Sequence, residues 1–207
     1  METQLAKKYK KLYPLYKYIK GSCYIAGGCI KDIFEGKVPH DIDIYFMSPM
    51  GFKNVSEKYK WDQNFEKAYV TENVEAYKEI STGMVVELVK SFIYSPTELF
   101  EQTFDFYVDM FALVCLGDEK DTDKFEVVYS SQFFEDLYTH KLTIANITSP
   151  LSTMSRIIKY SQYGYDIDLE EFREVTDAIN ELEPDDYIYD LKNINAYALV
   201  RKERKDT

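Results

Sequence analysis

The chain is 207 residues long with a formal net charge of −11, a length that suits one large domain, or a core with a helical extension, and that buries a core without disulfide staples. The acidic balance excludes a general binder of phosphate backbones, since that binding depends on lysine and arginine neutralising phosphates, and DNA is not an expected partner. The three cysteines, Cys23, Cys29 and Cys115, are odd in number and out of metal-ligand spacing, which points to a reducing, cytoplasmic setting.

The first residues hold no apolar h-region, so no secretory signal is expected. Residues 3–19 read as an amphipathic helix with Leu5, Tyr9, Leu12, Leu15 and Tyr16 on one side. Lys7, Lys8, Lys10, Lys11, Lys17 and Lys20 face only Glu2 there, and Arg201, Lys202, Arg204 and Lys205 crowd the other end. Two solvated helix ends account for this, and so does a local basic surface for a polyanionic acceptor. Residues 22–26 read as a strand that stops at Gly27-Gly28, and 29–35 as a helix ended by Gly36. Pro39 marks a turn, and 41–47 form a second strand. Residues 51–66 are expected to be helical, and 74–80 with 84–92 to be a strand pair around Ser81-Thr82-Gly83. Ser95-Pro96-Thr97-Glu98 offers a serine N-cap, a proline at the first helical position and a glutamate for a capping box. Residues 104–116 read as one long strand, whose apolar run VDMFALVCL is too short to span a bilayer. A further strand is expected at 125–128. Beyond about residue 130 the pattern turns helical. Ser149-Pro150 opens a helix reaching Gly164, Asp168 with Glu171 opens another that ends before Pro184, and a last helix follows. The chain therefore reads as α+β, with a core over residues 1–130 and a helical, neck-like extension over 131–207.

The chemistry concentrates in AGGCIKDIFEGKVPHDIDIYF, residues 26–46. In a strand, residues i and i+2 share a face, so Asp41 and Asp43 project together while Ile42 and Ile44 project oppositely. Two like charges side by side are costly unless something neutralises them. A divalent cation does so, and hard oxygen ligands suit magnesium, held by one or two carboxylates plus substrate phosphates. Such ions promote in-line phosphoryl displacement. Gly27-Gly28 complements them: absent side chains admit a phosphate to the backbone at a helix N-terminus, and Lys31 one turn in adds charge.

This combination resembles the signature of the polymerase-β-type nucleotidyltransferase superfamily, nearest to the branch of the CCA-adding enzymes and bacterial poly(A) polymerases. Their pattern runs Gly-Gly-x-Val-Arg-Asp, then Gly, then Asp-x-Asp. Here it is Gly27, Gly28, Cys29, Ile30, Lys31, Asp32, then Gly36, then Asp41-Ile42-Asp43, with lysine in place of arginine and so without the bidentate fork. The family's strand with a third acid matches Val85-Val86-Glu87-Leu88-Val89. Its Arg-Arg-Asp-Phe-Thr-x-Asn-Ala-Leu motif is similar to residues 103–113, with Asp105 on the aspartate, Asp109 on the asparagine and no arginine pair. Arg156-Ile157-Ile158-Lys159-Tyr160, with Gly164 and Tyr165, resembles the family's neck.

The resemblance implies a nucleotidyltransferase-type mixed or antiparallel sheet with flanking helices. It implies two Mg²⁺ ions on Asp41, Asp43 and Glu87, with Asp105 as the other candidate for the third carboxylate and otherwise placed near the ribose. Gly27, Gly28, Lys31 and Asp105 would contact an NTP. The implied reaction moves an NMP to an acceptor hydroxyl, first of all at a tRNA-like RNA 3′ end. A small-molecule or protein hydroxyl, of the toxin or defence type, is the alternative acceptor. A non-catalytic nucleotide- or RNA-binding module is the alternative class. The family's base-reading positions fall on Ser149, Pro150 and Thr153, none of which can make the same pairing, so base preference does not transfer. Each residue also has a plainer reading: Glu87 as a solvent-facing strand acid, Asp105 as a strand-start acid paired with a lysine, Lys31 as a solvated helix lysine.

Overall fold

A computed structural model of the chain describes residues 1–115 and 125–186. The expected last helix and the basic run from Arg201 to Lys205 lie outside the described residues. In chain order the elements are β1 (Glu2–Leu5), 3₁₀ segments at Ala6–Lys8 and Lys10–Tyr18, β2 (Cys23–Ala26), α1 (Gly28–Phe34), β3 (Asp41–Phe46), α2 (Pro49–Trp61), β4 (Phe65–Val70), β5 (Val74–Glu79) and β6 (Val85–Ile93). They continue with α3 (Pro96–Thr103), a 3₁₀ turn at Tyr107–Asp109, β7 (Phe111–Cys115), β8 (Phe125–Tyr129), α4 (Phe133–Thr139), β9 (Lys141–Leu142), α5 (Pro150–Ser161), β10 (Asp166–Ile167) and α6 (Leu169–Asn180).

Eight strands form one mixed sheet in the order β1-β8-β7-β2-β3-β6-β5-β4. β3 and β6 pair in parallel and every other neighbouring pair is antiparallel. Alternation along the central strands sorts side chains onto two faces. Ile25, Ile42, Ile44, Val86 and Leu88 enter the larger core, with Val55 and Tyr59 of α2 and Ile30 of α1. Tyr24, Ala26, Tyr45 and Val89 enter a smaller one, capped by Leu99 and Phe100 of α3. Asp41 and Asp43 share the face of Tyr45, and α3 packs toward the Tyr45 end of that face. The α3 start is built as its sequence demands: Ser95 Oγ accepts from the Glu98 N–H and the Glu98 carboxylate accepts from the Ser95 N–H.

Three expectations about elements are corrected. The stretch 3–19 is not an α-helix. Glu2–Leu5 pairs as an edge strand with β8, and Lys10–Tyr18 winds as a 3₁₀ helix around Pro14, which has no N–H to donate and whose ring crowds the preceding turn. The inward stripe survives, since Leu12 and Leu15 are buried and Tyr9 and Tyr16 pack against the core. The helix expected over 51–66 ends at Trp61. Asp62 turns the chain, accepting from the Asn64 N–H at 2.9 Å, and β4 follows, paired with β5. The long strand expected over 104–116 is interrupted by the 3₁₀ turn Tyr107–Asp109, which the Tyr107 N–H anchors to the Thr143 carbonyl at 3.1 Å. The helix that Asp168 and Glu171 open is found as α6, and the Glu171 carboxylate accepts from the Ile144 N–H at 2.6 Å, tying α6 to the segment after β9.

Candidate active site

β2 runs into the glycine turn, and β3 lies directly beside β2. Gly27 adopts φ 90°, ψ −157°, a region that is essentially glycine-only. As the N-cap of α1 it has no side chain to offer, so no side-chain bond caps the helix start. A Cβ on Gly27 would stand 3.6 Å from Phe104 Cζ, which is ordinary contact. Gly27→Ala is therefore expected to cost about 1–3 kcal/mol through the backbone rather than through crowding, read as a lower urea midpoint. Above Gly28 stand the Tyr160 hydroxyl and the Asp109 carboxylate, 3.6 and 3.8 Å from where a Cβ would be.

Asp41 and Asp43 head β3, both half-buried. The parallel register sets Asp43 opposite Glu87 of β6 and Asp41 opposite Val85, so the three carboxylates project from one face, on strands about 4.8 Å apart. The glycine turn is adjacent. The Cys29 thiol is pushed well up, first by burial and then by the Asp43 and Asp41 carboxylates. Tyr45 is pushed up by burial and then by Asp43, with Glu87 adding to the effect. One side of the site is thus acidic, and on the other Gly27 is buried and Gly28 half-buried beneath Tyr160 and Asp109. Among the described residues no three His, Cys, Asp or Glu side chains gather into a ready-made metal cage. The donor set fits Mg²⁺ in the open manner, in which one or two carboxylates are completed by phosphate oxygens.

The other sequence-marked residues occupy a second cluster that joins the core to α5. Lys31 is 2 % exposed. Its Nζ lies 2.6 Å from Asp32 and 3.4 Å from Glu35, over the rings of Tyr160 and Tyr165 at 5.3 and 5.5 Å. Burial opposes its charge, but Asp32, Asp109 and Glu35 outweigh that and hold the ammonium above its usual pKa. Asp105 is buried, and Arg156 of α5 donates to its Oδ2. Its Oδ1 finds no hydrogen-bond partner among the described residues. Burial pushes its carboxyl up despite Arg156. Asp109 accepts from the Tyr160 hydroxyl at 2.5 Å and is likewise pushed up by burial. Thr153, where the base-reading motif would fall, is fully buried and donates to the Ser149 carbonyl at 3.1 Å.

The structure therefore brings Gly27, Gly28, Asp41, Asp43 and Glu87 together, and places Lys31 and Asp105 in ion pairs inside the junction with α5. Of the amino-terminal lysines, Lys11 donates to the Phe34 carbonyl, Lys17 to Glu79 and Lys20 to Asp62, which leaves less free cation at that end than the sequence suggests. Tyr69, whose hydroxyl donates to Glu87, carries no sequence signal that marks it. Tyr160 was legible only as part of the neck.

A mixed sheet with the Asp pair on one strand, a third carboxylate on the strand parallel to it and a glycine turn beside them is the nucleotidyltransferase fold. Solved structures agree. A CCA-adding enzyme in complex with CTP superposes with a TM-score of 0.62 at 15 % identity, over 94 % of this chain and 50 % of that one. The Thermotoga maritima CCA-adding enzyme complexed with tRNA gives 0.58 at 14 %, over 87 % and 47 %. A tRNA nucleotidyltransferase complexed with a primer tRNA and an incoming ATP analogue gives 0.57 at 16 %, over 92 % and 60 %. The chain spans about half the length of the CCA-adding enzymes it matches. No curated protein matches it in sequence. The family model described as "Gad2: Gabija anti-defense 2 family protein" matches residues 3–140, and the chain belongs to the Gabija anti-defense 2 family. No helix among the described residues is long and apolar enough to cross a membrane.

Proposed function

We propose that the chain is a Mg²⁺-dependent nucleotidyltransferase that moves a nucleoside monophosphate from an NTP to an acceptor hydroxyl. The observation that carries this reading is the alignment of Asp41, Asp43 and Glu87 on one face, in register across β3 and β6, beside the glycine turn. Gly27 and Gly28 would meet the triphosphate at the turn between β2 and α1, where neither carries a side chain. Asp41, Asp43 and Glu87 would hold two Mg²⁺ ions, which supply charge neutralisation and lower the pKa of the attacking hydroxyl. The residues' share of the work is positioning and electrostatic complementarity. Lys31, Asp105, Arg156, Asp109 and Tyr160 fix the glycine turn against α5 rather than meeting phosphate. In this reading residues 1–130 are the catalytic core and 131–207 the extension, whose α5 braces the core.

The family description speaks of action against Gabija defence, and the acceptor we assign is a hydroxyl on a component of that defence. The second reading, an RNA 3′ end, is favoured by the structural neighbours bound to tRNA. One experiment separates them. The full chain is incubated with each α-labelled NTP and Mg²⁺, with extract of cells carrying Gabija defence or with their purified total RNA. Label in an extract protein other than the chain itself supports the first acceptor, and label in RNA the second. Equal label with the Asp41→Ala, Asp43→Ala double variant, or none anywhere, overturns the transferase reading.

A further inference from the structure

The carboxylate row extends beyond Glu87. Asp43 lies opposite Glu87 across β3 and β6, Glu87 opposite Ala76 across β6 and β5, and Ala76 opposite Tyr69 across β5 and β4. Residues paired directly across neighbouring strands share a face, so Tyr69 stands on the acidic face. It stands there because β4 is irregular. Lys67 pairs with Tyr77, yet Tyr69 pairs with Ala76, so Ala68 is an extra residue. Uninterrupted pairing would set Tyr69 against Glu75 and turn it to the opposite face. Bulges of this kind re-aim side chains beside active sites. Ala76, fully buried, has no long side chain to stand between. Tyr69 thereby spans two strand spacings and donates its hydroxyl hydrogen to Glu87 Oε1. A hydroxyl that donates to a carboxylate of the candidate site is within hydrogen-bond reach of a group able to take its proton.

We propose that Tyr69 is itself an acceptor, and that the chain transfers a nucleoside monophosphate from an NTP to its own Tyr69 hydroxyl. This rests on the transferase reading above. Tyr69 Oη forms a bond to the α-phosphorus, the bond from that phosphorus to the oxygen bridging the β-phosphate breaks, the phenolic proton passes to Glu87, and pyrophosphate leaves. The product is a tyrosyl phosphodiester.

The test uses the purified full chain with Mg²⁺ and each NTP, with no other acceptor, followed by peptide mass mapping. A single NMP adduct on Tyr69 is expected, and Tyr69→Phe should fall to the level of Asp43→Asn. A second readout needs no turnover. In protein labelled with ¹³C at tyrosine Cζ, the Tyr69 signal, assigned by its loss in Tyr69→Phe, should move on addition of Mg²⁺ with an NTP analogue that cannot be cleaved between the α- and β-phosphates. Adducts spread over many tyrosines, or a Tyr69 signal indifferent to Mg²⁺ and nucleotide, overturn the proposal. Label in extract protein or RNA with Tyr69 clean overturns it and leaves the transferase reading standing. Label nowhere removes both.

Discussion

Asp43→Asn should leave the fold intact and reduce nucleotidyl transfer about 10³-fold or more, the several kcal/mol that metal-assisted charge stabilisation supplies. The substitution keeps the side-chain volume and its half-buried place at the head of β3, and removes only the charge. In the metal-free protein Asp43 faces Asp41 across one residue of strand and Glu87 across one strand spacing, so losing a like charge relieves repulsion. The melting temperature is expected to stay level or rise while activity collapses. That opposition separates a site residue from a structural one, because a side chain kept for stability lowers both together. Calorimetry should show weaker Mg²⁺ binding in the presence of an uncleavable NTP analogue. Activity within tenfold of the wild type would falsify the role given to Asp43.

Lys31→Met should act in the opposite sense, losing stability first. Lys31 is buried between Asp32 and Glu35, with the Tyr160 and Tyr165 rings closing over it. Removing the cation strands two carboxylates. Breaking a buried pair in this way costs about 3 kcal/mol, the lower end of the usual range because Glu35 keeps Lys37 and Tyr165. The urea midpoint should fall accordingly. The acid limb should change too. Burial pushes the Glu35 carboxyl up, but Lys37, Tyr165 and Lys31 together hold it below its usual 4.5. A depressed carboxyl contributes stability above its unfolded pKa and loses it as pH falls through the folded one. Without Lys31 the folded value rises toward the unfolded one, so less of that stability exists to be lost below about pH 4.5. A lysine that met phosphate would instead raise KM for NTP and leave the urea midpoint unchanged.

Much of the site is legible in residues 26–46, because the information is local. A glycine pair after a strand, a helix closed by Gly36 and two aspartates at period two each follow from neighbours in sequence. The capping box at Ser95 is local in the same way. The amino-terminal 3₁₀ segment is a miss of a different kind. Its apolar stripe holds at Tyr9, Leu12, Leu15 and Tyr16, but Pro14 and the open edge of β8 decided the backbone, and that edge lies about 125 residues away, as the pairing of Thr3 with Val128 shows. Lys31 looked like a phosphate ligand because its position in the motif is charged. What turns it inward is the packing of α5, which no spacing near residue 31 announces.

By itself the sequence determined the candidate groups: two strand carboxylates on one face, a glycine turn, and a third acid in an apolar strand. These depend on backbone periodicity, which neighbouring residues dictate. Only the tertiary structure decided which groups meet. The parallel register of β3 and β6 sets Glu87 against Asp43, the α5 helix draws Lys31, Asp105 and Asp109 into buried contacts, and one extra residue in β4 turns Tyr69 onto the acidic face. Each of these is a pairing between distant segments, and burial of the apolar faces selects it, since a shift of one residue would carry every side chain of the strand to the wrong side.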